Sequence, residues 1–219
     1  LQDRKPDEII LVVTDKDDYD QSLMVNNLIK IYESAPGSTI QRNAGIKKIS
    51  EKSDLVIFLD DDVELSTEFF QRVVNFMAVS PWVAGLSGTP LLNKPENGLM
   101  SRANARAALL KCQLSDKKIP PTIQRGLYGC NMVVRSDYAR KLLFDERLSL
   151  YAWLEDRDFG IRLEKYGQIV DYGGQGIIHF GTPGGRISEI RLGYAQIMNP
   201  AYLFFTKRVF NIKEYVDHG

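Results

Sequence analysis

Three consecutive aspartates, Asp60, Asp61 and Asp62, follow the apolar run Leu55-Val56-Ile57-Phe58-Leu59. Adjacent carboxylates repel one another, so something must neutralise them. A hard divalent cation does this well, because Mg²⁺ and Mn²⁺ prefer oxygen ligands. A second acidic group stands far along the chain: Glu155, Asp156 and Asp158 in Trp153-Leu154-Glu155-Asp156-Arg157-Asp158. Each group also has an ordinary reading. The first is a solvated acidic turn, and the second is electrostatic decoration of a helix start, where the dipole favours carboxylates. Together they point to a metal and an anionic ligand such as a diphosphate.

The elements that must position these acids can be read from periodicity. Leu55–Leu59 is a short apolar run and predicts a buried strand, and ligands of open α/β sheets bind beyond the carboxyl ends of strands. Glu8–Val13 predicts a strand ending at Thr14-Asp15. Gln21–Ile31 and Thr39–Ser50 suit helices on either side of the turn Pro36-Gly37-Ser38. A helix over Thr67–Ala78 follows the acids, then a strand from Trp82 to Leu86. Leu99–Gln113 suits a helix between two loops, Asn93–Gly98 and Lys117–Arg125. Leu127–Val134 contains a short strand, and Ser136 is placed to cap a helix over Asp137–Leu143. Trp153–Lys165 predicts a helix ended by Gly167. Short strands at Ile169-Val170 and Ile177-Ile178, a glycine-rich loop at Gly181–Gly185 and a long helix over Ser188–Val209 complete the chain. The alternation of strand and helix predicts one α/β domain with a mostly parallel sheet flanked by helices.

Composition narrows the function classes. The chain has 219 residues, 44% hydrophobic and 26% charged, with zero formal net charge. No basic block occurs, so bulk electrostatics give no reason to expect a nucleic-acid partner. The two cysteines, Cys112 and Cys130, lack the pair spacing of a zinc site; one disulfide between them and a reduced cytosolic pair are both open, the second being simpler. No apolar stretch is long enough to cross a bilayer, and no signal peptide is recognisable, so the expected location is cytoplasmic. The predicted C-terminal helix carries Tyr194, Tyr202, Phe204, Phe205 and Phe210 beside Lys207, Arg208 and Lys213. Such a helix can seat a protein on the cytoplasmic face of the inner membrane, although packing onto the domain or onto a partner is the commoner use.

At the level of motifs the chain resembles the GT-A glycosyltransferases, most closely glycosyltransferase family 2. Phe58-Leu59-Asp60-Asp61-Asp62 looks like the DxD motif, and Leu154-Glu155-Asp156-Arg157-Asp158 with the later Arg162 looks like the ED motif. Arg42-Asn43-Ala44-Gly45 matches the RNxG segment before DxD. Gly129-Cys130-Asn131-Met132-Val133-Val134-Arg135 and Phe144-Asp145-Glu146 are similar to the segments before the ED helix. Each motif alone is weak, but five in order are specific. The resemblance implies a single GT-A, Rossmann-like domain, with residues 1–92 as the nucleotide-sugar half, 93–186 as the acceptor half and 187–219 as a C-terminal helix. It also implies that a first strand–helix unit, about two to three dozen residues, is missing before Leu1.

The activity implied is metal-dependent, inverting transfer of a sugar from a nucleotide-diphosphate donor to a hydroxyl acceptor. The acceptor would be a glycan or a lipid-linked glycan, and the setting bacterial polysaccharide or glycan synthesis. Asp62 is expected as the direct ligand to Mn²⁺ or Mg²⁺, with Asp60 in support, Asp61 closer to the ribose, and His179 as a further ligand. Asp156 is the expected general base. Asp15, Arg42, Asn43 and Arg186 are expected on the donor; Glu155, Trp153 and Asn131 are expected on the acceptor. Tyr151 and Trp153 could stack on a sugar, and Gly181–Arg186 could form a lid. Asp158 and Arg162 are expected to pair and brace the helix. Alternatives are a nucleotidyltransferase and a non-catalytic sugar-nucleotide-binding domain; a haloacid-dehalogenase-type phosphatase would want Thr or Val where Glu64 stands.

Overall fold

A computed structural model describes residues 2–93, 100–113, 120–148, 152–173, 176–181 and 189–218. Strand β1 (Ile9–Val13) leads through two short 3-10 turns into β2 (Ile29–Glu33), which pairs with it in parallel. The helix expected over Gln21–Ile31 is thus a turn and a strand. Asp20 accepts from Ser22 N at 2.8 Å and Asn26 from Leu28 N at 3.0 Å. Such short side-chain bonds compete with helical ones, and Ile29 and Ile31 then alternate with exposed Lys30 as a strand requires.

Next come α1 (Ser38–Ile46), β3 (Leu55–Leu59), β4 (Val63–Leu65), α2 (Phe69–Val79), β5 (Val83–Ser87), β6 (Leu92–Asn93) and α3 (Arg102–Gln113). They are followed by β7 (Thr122–Gln124), β8 (Asn131–Arg135), α4 (Ser136–Leu142), α5 (Glu155–Leu163), β9 (Gln168–Asp171) and β10 (Ile177–His179). The central sheet has the order β3-β8-β5-β9-β7, and a smaller one the order β4-β10-β6. The α/β class and the flanking helices are as expected, but the pairing is mixed. β8 lies antiparallel between β3 and β5, β9 is parallel to β5, and β7 closes the edge antiparallel to β9. β4 and β7 were not legible as strands, since three residues are too few to show a period.

Alternation divides the central strands between two cores. Val56 and Phe58 of β3, Met132 and Val134 of β8 and Ile169 of β9 pack with Ile46 of α1, Ala139 of α4, and Phe159 and Leu163 of α5. Leu55, Ile57, Val133 and Val170 face the other way, onto Phe69, Val73 and Met77 of α2. Both faces are therefore covered, which is why β8 is almost continuously buried. α4 starts without a side-chain cap; Ser136 Oγ instead donates to the Ser53 carbonyl, so the expected cap is a tie between segments.

The single long helix expected at the C-terminus is broken. α6 (Glu189–Ala201) contains Pro200, runs into a π-helical turn over Tyr202–Thr206, passes Arg208 with a left-handed φ of 55°, and restarts as α7 (Ile212–His218). Proline lacks the N–H that a helix interior needs. Leu203 and Phe210 are buried with Leu148, Ala152 and Leu154, so this segment packs on the chain just before α5.

Candidate active site

The carboxyl end of β3 carries the acidic triplet into a cleft. Asp60 N donates to Cys130 O at 3.3 Å, which extends the β3–β8 ladder by one bond, and Phe180 N donates to Asp62 O at 2.9 Å beside the β4–β10 pairing. That pairing sets His179 opposite Val63. His179 Nε2 lies 3.1 Å from Asp62 Oδ1 and 3.9 Å from Asp60 Oδ2. One ligand atom from each of Asp60, Asp62 and His179 falls within 4.8 Å of the others. Two carboxylates and an imidazole fit a divalent cation such as Mn²⁺ or Mg²⁺. Asp61 stands exposed beside them.

Arg42, on α1, joins this cluster to the second one. Its side chain is only 15% exposed. Nη1 donates to Glu155 Oε1 at 2.5 Å, and Nη2 donates to Asp60 Oδ1 at 3.3 Å and to Gly129 O at 3.4 Å. The guanidinium also lies over the Phe144 ring, 5.4 Å from its centroid. Burial works against the Arg42 charge, but Glu155, Asp60 and Asp156 outweigh it and raise the pKa. Burial pushes the Glu155 carboxyl up to about 7; Arg42 opposes this and Asp156 reinforces it. The direction follows from burial, which the single guanidinium of Arg42 only partly offsets while Asp156 adds a like charge.

Asp156 occupies the first turn of α5. Its Oδ2 accepts from Gly129 N at 2.7 Å and its Oδ1 from Arg157 N at 2.7 Å. Burial raises its pKa, against the pull of Arg42 and these two amides. The Gly129 contact depends on the loop before β8 lying directly on α5. A Cβ on Gly160 would sit 2.3 Å from Leu127 N, so only glycine permits that approach. The turn into α5 is strained: Ala152 (φ 52°) and Leu154 (φ 72°) are left-handed, at a cost on the order of 1–3 kcal/mol each. Cys130, behind the cleft, is a buried free thiol. Burial pushes its pKa up to about 12, opposed by a hydrogen bond from Asn131 and reinforced by Asp60, Asp62 and Asp156. All three acids act on one buried thiol, so the two clusters meet at one place.

A family model described as glycosyl transferase family 2 matches residues 1–143. The chain belongs to this family. Among solved structures it is similar to GalNAc-T7, crystallised with UDP, GalNAc and Mn²⁺, at 15% identity and a TM-score of 0.58, over 97% of this chain and 49% of that one. It is also similar to S. aureus TarS 1–349, at 14% identity and a TM-score of 0.55, over 93% of this chain and 58% of that one. At such identities the likeness is one of fold, and the fold is of GT-A type. The chain spans about half the length of these structures. No curated protein matches it.

Within this family 2 domain, several residues expected on ligands serve the scaffold instead. The buried Asn43 amide donates to Phe144 O at 3.0 Å and Glu146 Oε1 at 2.8 Å, and its Oδ1 accepts from Phe144 N at 2.7 Å. Asn131 is fully buried and clamps Gly88, accepting from its N at 2.7 Å and donating to its O at 2.9 Å. Both amides are thus engaged by the backbone of other segments. Trp153 packs beside Leu154, Leu203 and Phe210. Glu155, expected on the acceptor, is taken up by Arg42. Asp15 lies exposed just past β1, where its carboxylate accepts from Asp17 N at 3.1 Å. The end of β1 is near the cleft, since Gln41 Nε2, next to Arg42, donates to Val12 O at 3.0 Å. Tyr151, Arg186 and most of the Gly181–Arg186 lid lie outside the described residues. Asp158 and Arg162 do pair, at 2.7 Å. Lys207, grouped by sequence with a membrane-facing surface, has its ammonium turned inward onto Asp145 and Asp158, 2.7 Å from each. A lysine paired in this way carries no local sequence signal, because its partners lie far away along the chain.

Proposed function

We propose that this domain is a metal-dependent, inverting glycosyltransferase that moves a sugar from a nucleotide-diphosphate donor to a hydroxyl acceptor. One observation carries the reading. The Arg42 guanidinium touches both Asp60 of the candidate cation-binding group and Glu155 beside Asp156, which brings that group and a partly buried carboxylate together. Asp60, Asp62 and His179 would hold a divalent cation, which would supply Lewis-acid stabilisation of the charge that develops on the departing diphosphate. Asp156 accepts the proton of the acceptor hydroxyl while that oxygen attacks the anomeric carbon. The bond from that carbon to the diphosphate breaks with its electron pair on the leaving oxygen. A raised pKa makes Asp156 a stronger base than a solvated aspartate. A double displacement would need a second, nucleophilic group on the opposite face of the sugar, whereas Glu155 is occupied by Arg42.

The Mn²⁺ bound to GalNAc-T7 supports manganese as the ion. The reading extends to a glycan or lipid-linked acceptor in bacterial polysaccharide synthesis, at the cytoplasmic face of the membrane. Exposed Tyr194 and Phe205 support the membrane part. No helix among the described residues is long and apolar enough to span a bilayer. Calorimetry with UDP, GDP and dTDP, with and without Mn²⁺, tests the core of the proposal. One nucleotide is expected to bind in a Mn²⁺-dependent way, and nucleotide binding indifferent to metal would overturn it. A donor screen read by product mass then identifies the sugar.

A further inference from the structure

Asp158 lies on α5 two residues after Asp156 and is completely buried. Its carboxylate would be an isolated charge but for two cations. Arg162 Nε donates to Asp158 Oδ2 at 2.9 Å, while Nη1 and Nη2 hold the carbonyls of Leu142 and Leu143. Lys207, just after the π-helical turn, brings its ammonium 2.7 Å from Asp158 Oδ1 and 2.8 Å from Oδ2. The same ammonium is 2.7 Å from Asp145 Oδ2, which also accepts from Tyr202 Oη at 3.0 Å. Next to Asp145, Phe144 stacks on Phe159 of α5 with centroids 4.1 Å apart. One largely enclosed ammonium, 14% exposed, therefore ties together α5, the segment around Phe144-Asp145, and the C-terminal segment. The family match ends at residue 143, well before Lys207.

We infer that Lys207 is a positioning residue for Asp156, holding the first turn of α5 in place from the C-terminal segment. The inference rests on the transferase reading for its catalytic consequence, but not for its structural one. α5 begins with no side-chain cap, straight after left-handed Leu154. Its first turn therefore needs restraint from outside. The bond from Gly129 N to Asp156 Oδ2 persists only while that turn keeps its height against the loop before β8. Asp158 is the side chain of this turn that a cation can grip from behind, leaving Asp156 to face the cleft.

The test compares wild type with Lys207→Met and Lys207→Arg in the full chain, using three readouts. Amide hydrogen exchange at residues 155–159 is followed with β8 as internal reference; binding of the nucleotide identified above is measured with Mn²⁺; and kcat is measured on the identified donor. Lys207→Met is expected to speed exchange at 155–159 by about tenfold with β8 unchanged. It should lower kcat by about 10–100-fold and leave nucleotide affinity within about twofold, while Lys207→Arg restores most of both losses. Unchanged exchange at 155–159, or a fall in kcat without faster exchange there, would overturn the inference. If Lys207→Met loosens β8 as well, Lys207→Gln, which keeps the length and a donor, is judged by the same two criteria. A wild type that turns over no donor, with exchange responding as stated, would sink the transferase reading and leave the clamp standing.

Discussion

Replacing Glu155 by glutamine isolates the energetic consequence of burying a carboxyl beside Arg42 and Asp156. The Glu155 side chain is 13% exposed and bonded to Arg42, which Asp60 also engages. Burial lifts its carboxyl from 4.5 to about 7. Between those values the folded chain retains a proton that the unfolded chain has released, so stability falls as pH rises through this window. Over roughly 2.5 pH units at about 1.4 kcal/mol each, the loss comes to about 3 kcal/mol, complete near pH 8. Glutamine mimics the protonated carboxyl and still accepts from Arg42. Glu155→Gln should therefore match wild type near pH 4 and exceed it by about 3 kcal/mol near pH 8. Urea unfolding at both pH values measures this, with chelator present so that Asp60 and Asp62 keep only their protein partners. Asp156 titrates in the same sense, so the informative quantity is the difference between the two chains. If that difference does not change with pH, or if Glu155→Gln is the less stable chain at pH 8, the argument from burial of this carboxyl is wrong.

Asp156→Asn should lower kcat by about 10²–10⁴-fold and leave Mn²⁺-dependent nucleotide binding intact by calorimetry; wild-type turnover would remove Asp156 as the base. Because burial raises the pKa of Asp156, kcat should climb with pH through a midpoint above that of an ordinary aspartate, and a rate flat across the acid range would contradict this. Asp62→Ala and His179→Ala should each weaken Mn²⁺ binding by about 10–100-fold in a direct titration without nucleotide. Asn43→Ala should destabilise the chain by about 2–3 kcal/mol in urea, since it leaves both backbone groups of buried Phe144 without a partner.

The acidic ends of β3 and α5 were legible because strand and helix periods are local properties, and the acids sit next to them in the chain. Arg42 was legible as a charge expected near the acids, but the carboxylates it meets, Glu155 and Asp60, were not. Asn43 and Asn131 lie in motifs that read as ligand-binding, yet their amides close on the backbone of Phe144 and Gly88, which no local pattern discloses. The helix misread at Gln21–Ile31 came from apolar spacing that a short turn and a strand satisfy equally well. For the C-terminal aromatics and bases the sequence left packing and a membrane seat both open; the break after Pro200 turns Lys207 inward and leaves Tyr194 and Phe205 outside.

By itself the sequence determined which residues carry charge and which strand or helix presents them, since both follow from side-chain chemistry and short-range periodicity. Tertiary structure alone decided which basic side chain meets which acid. Arg42 meets Glu155 across 113 residues, Lys207 meets Asp158 across 49, and His179 reaches Asp62 through the antiparallel β4–β10 pairing. These meetings depend on strand order and direction, which are set by how whole faces bury against one another. Charge balance within a buried site is thus a property of the assembled fold.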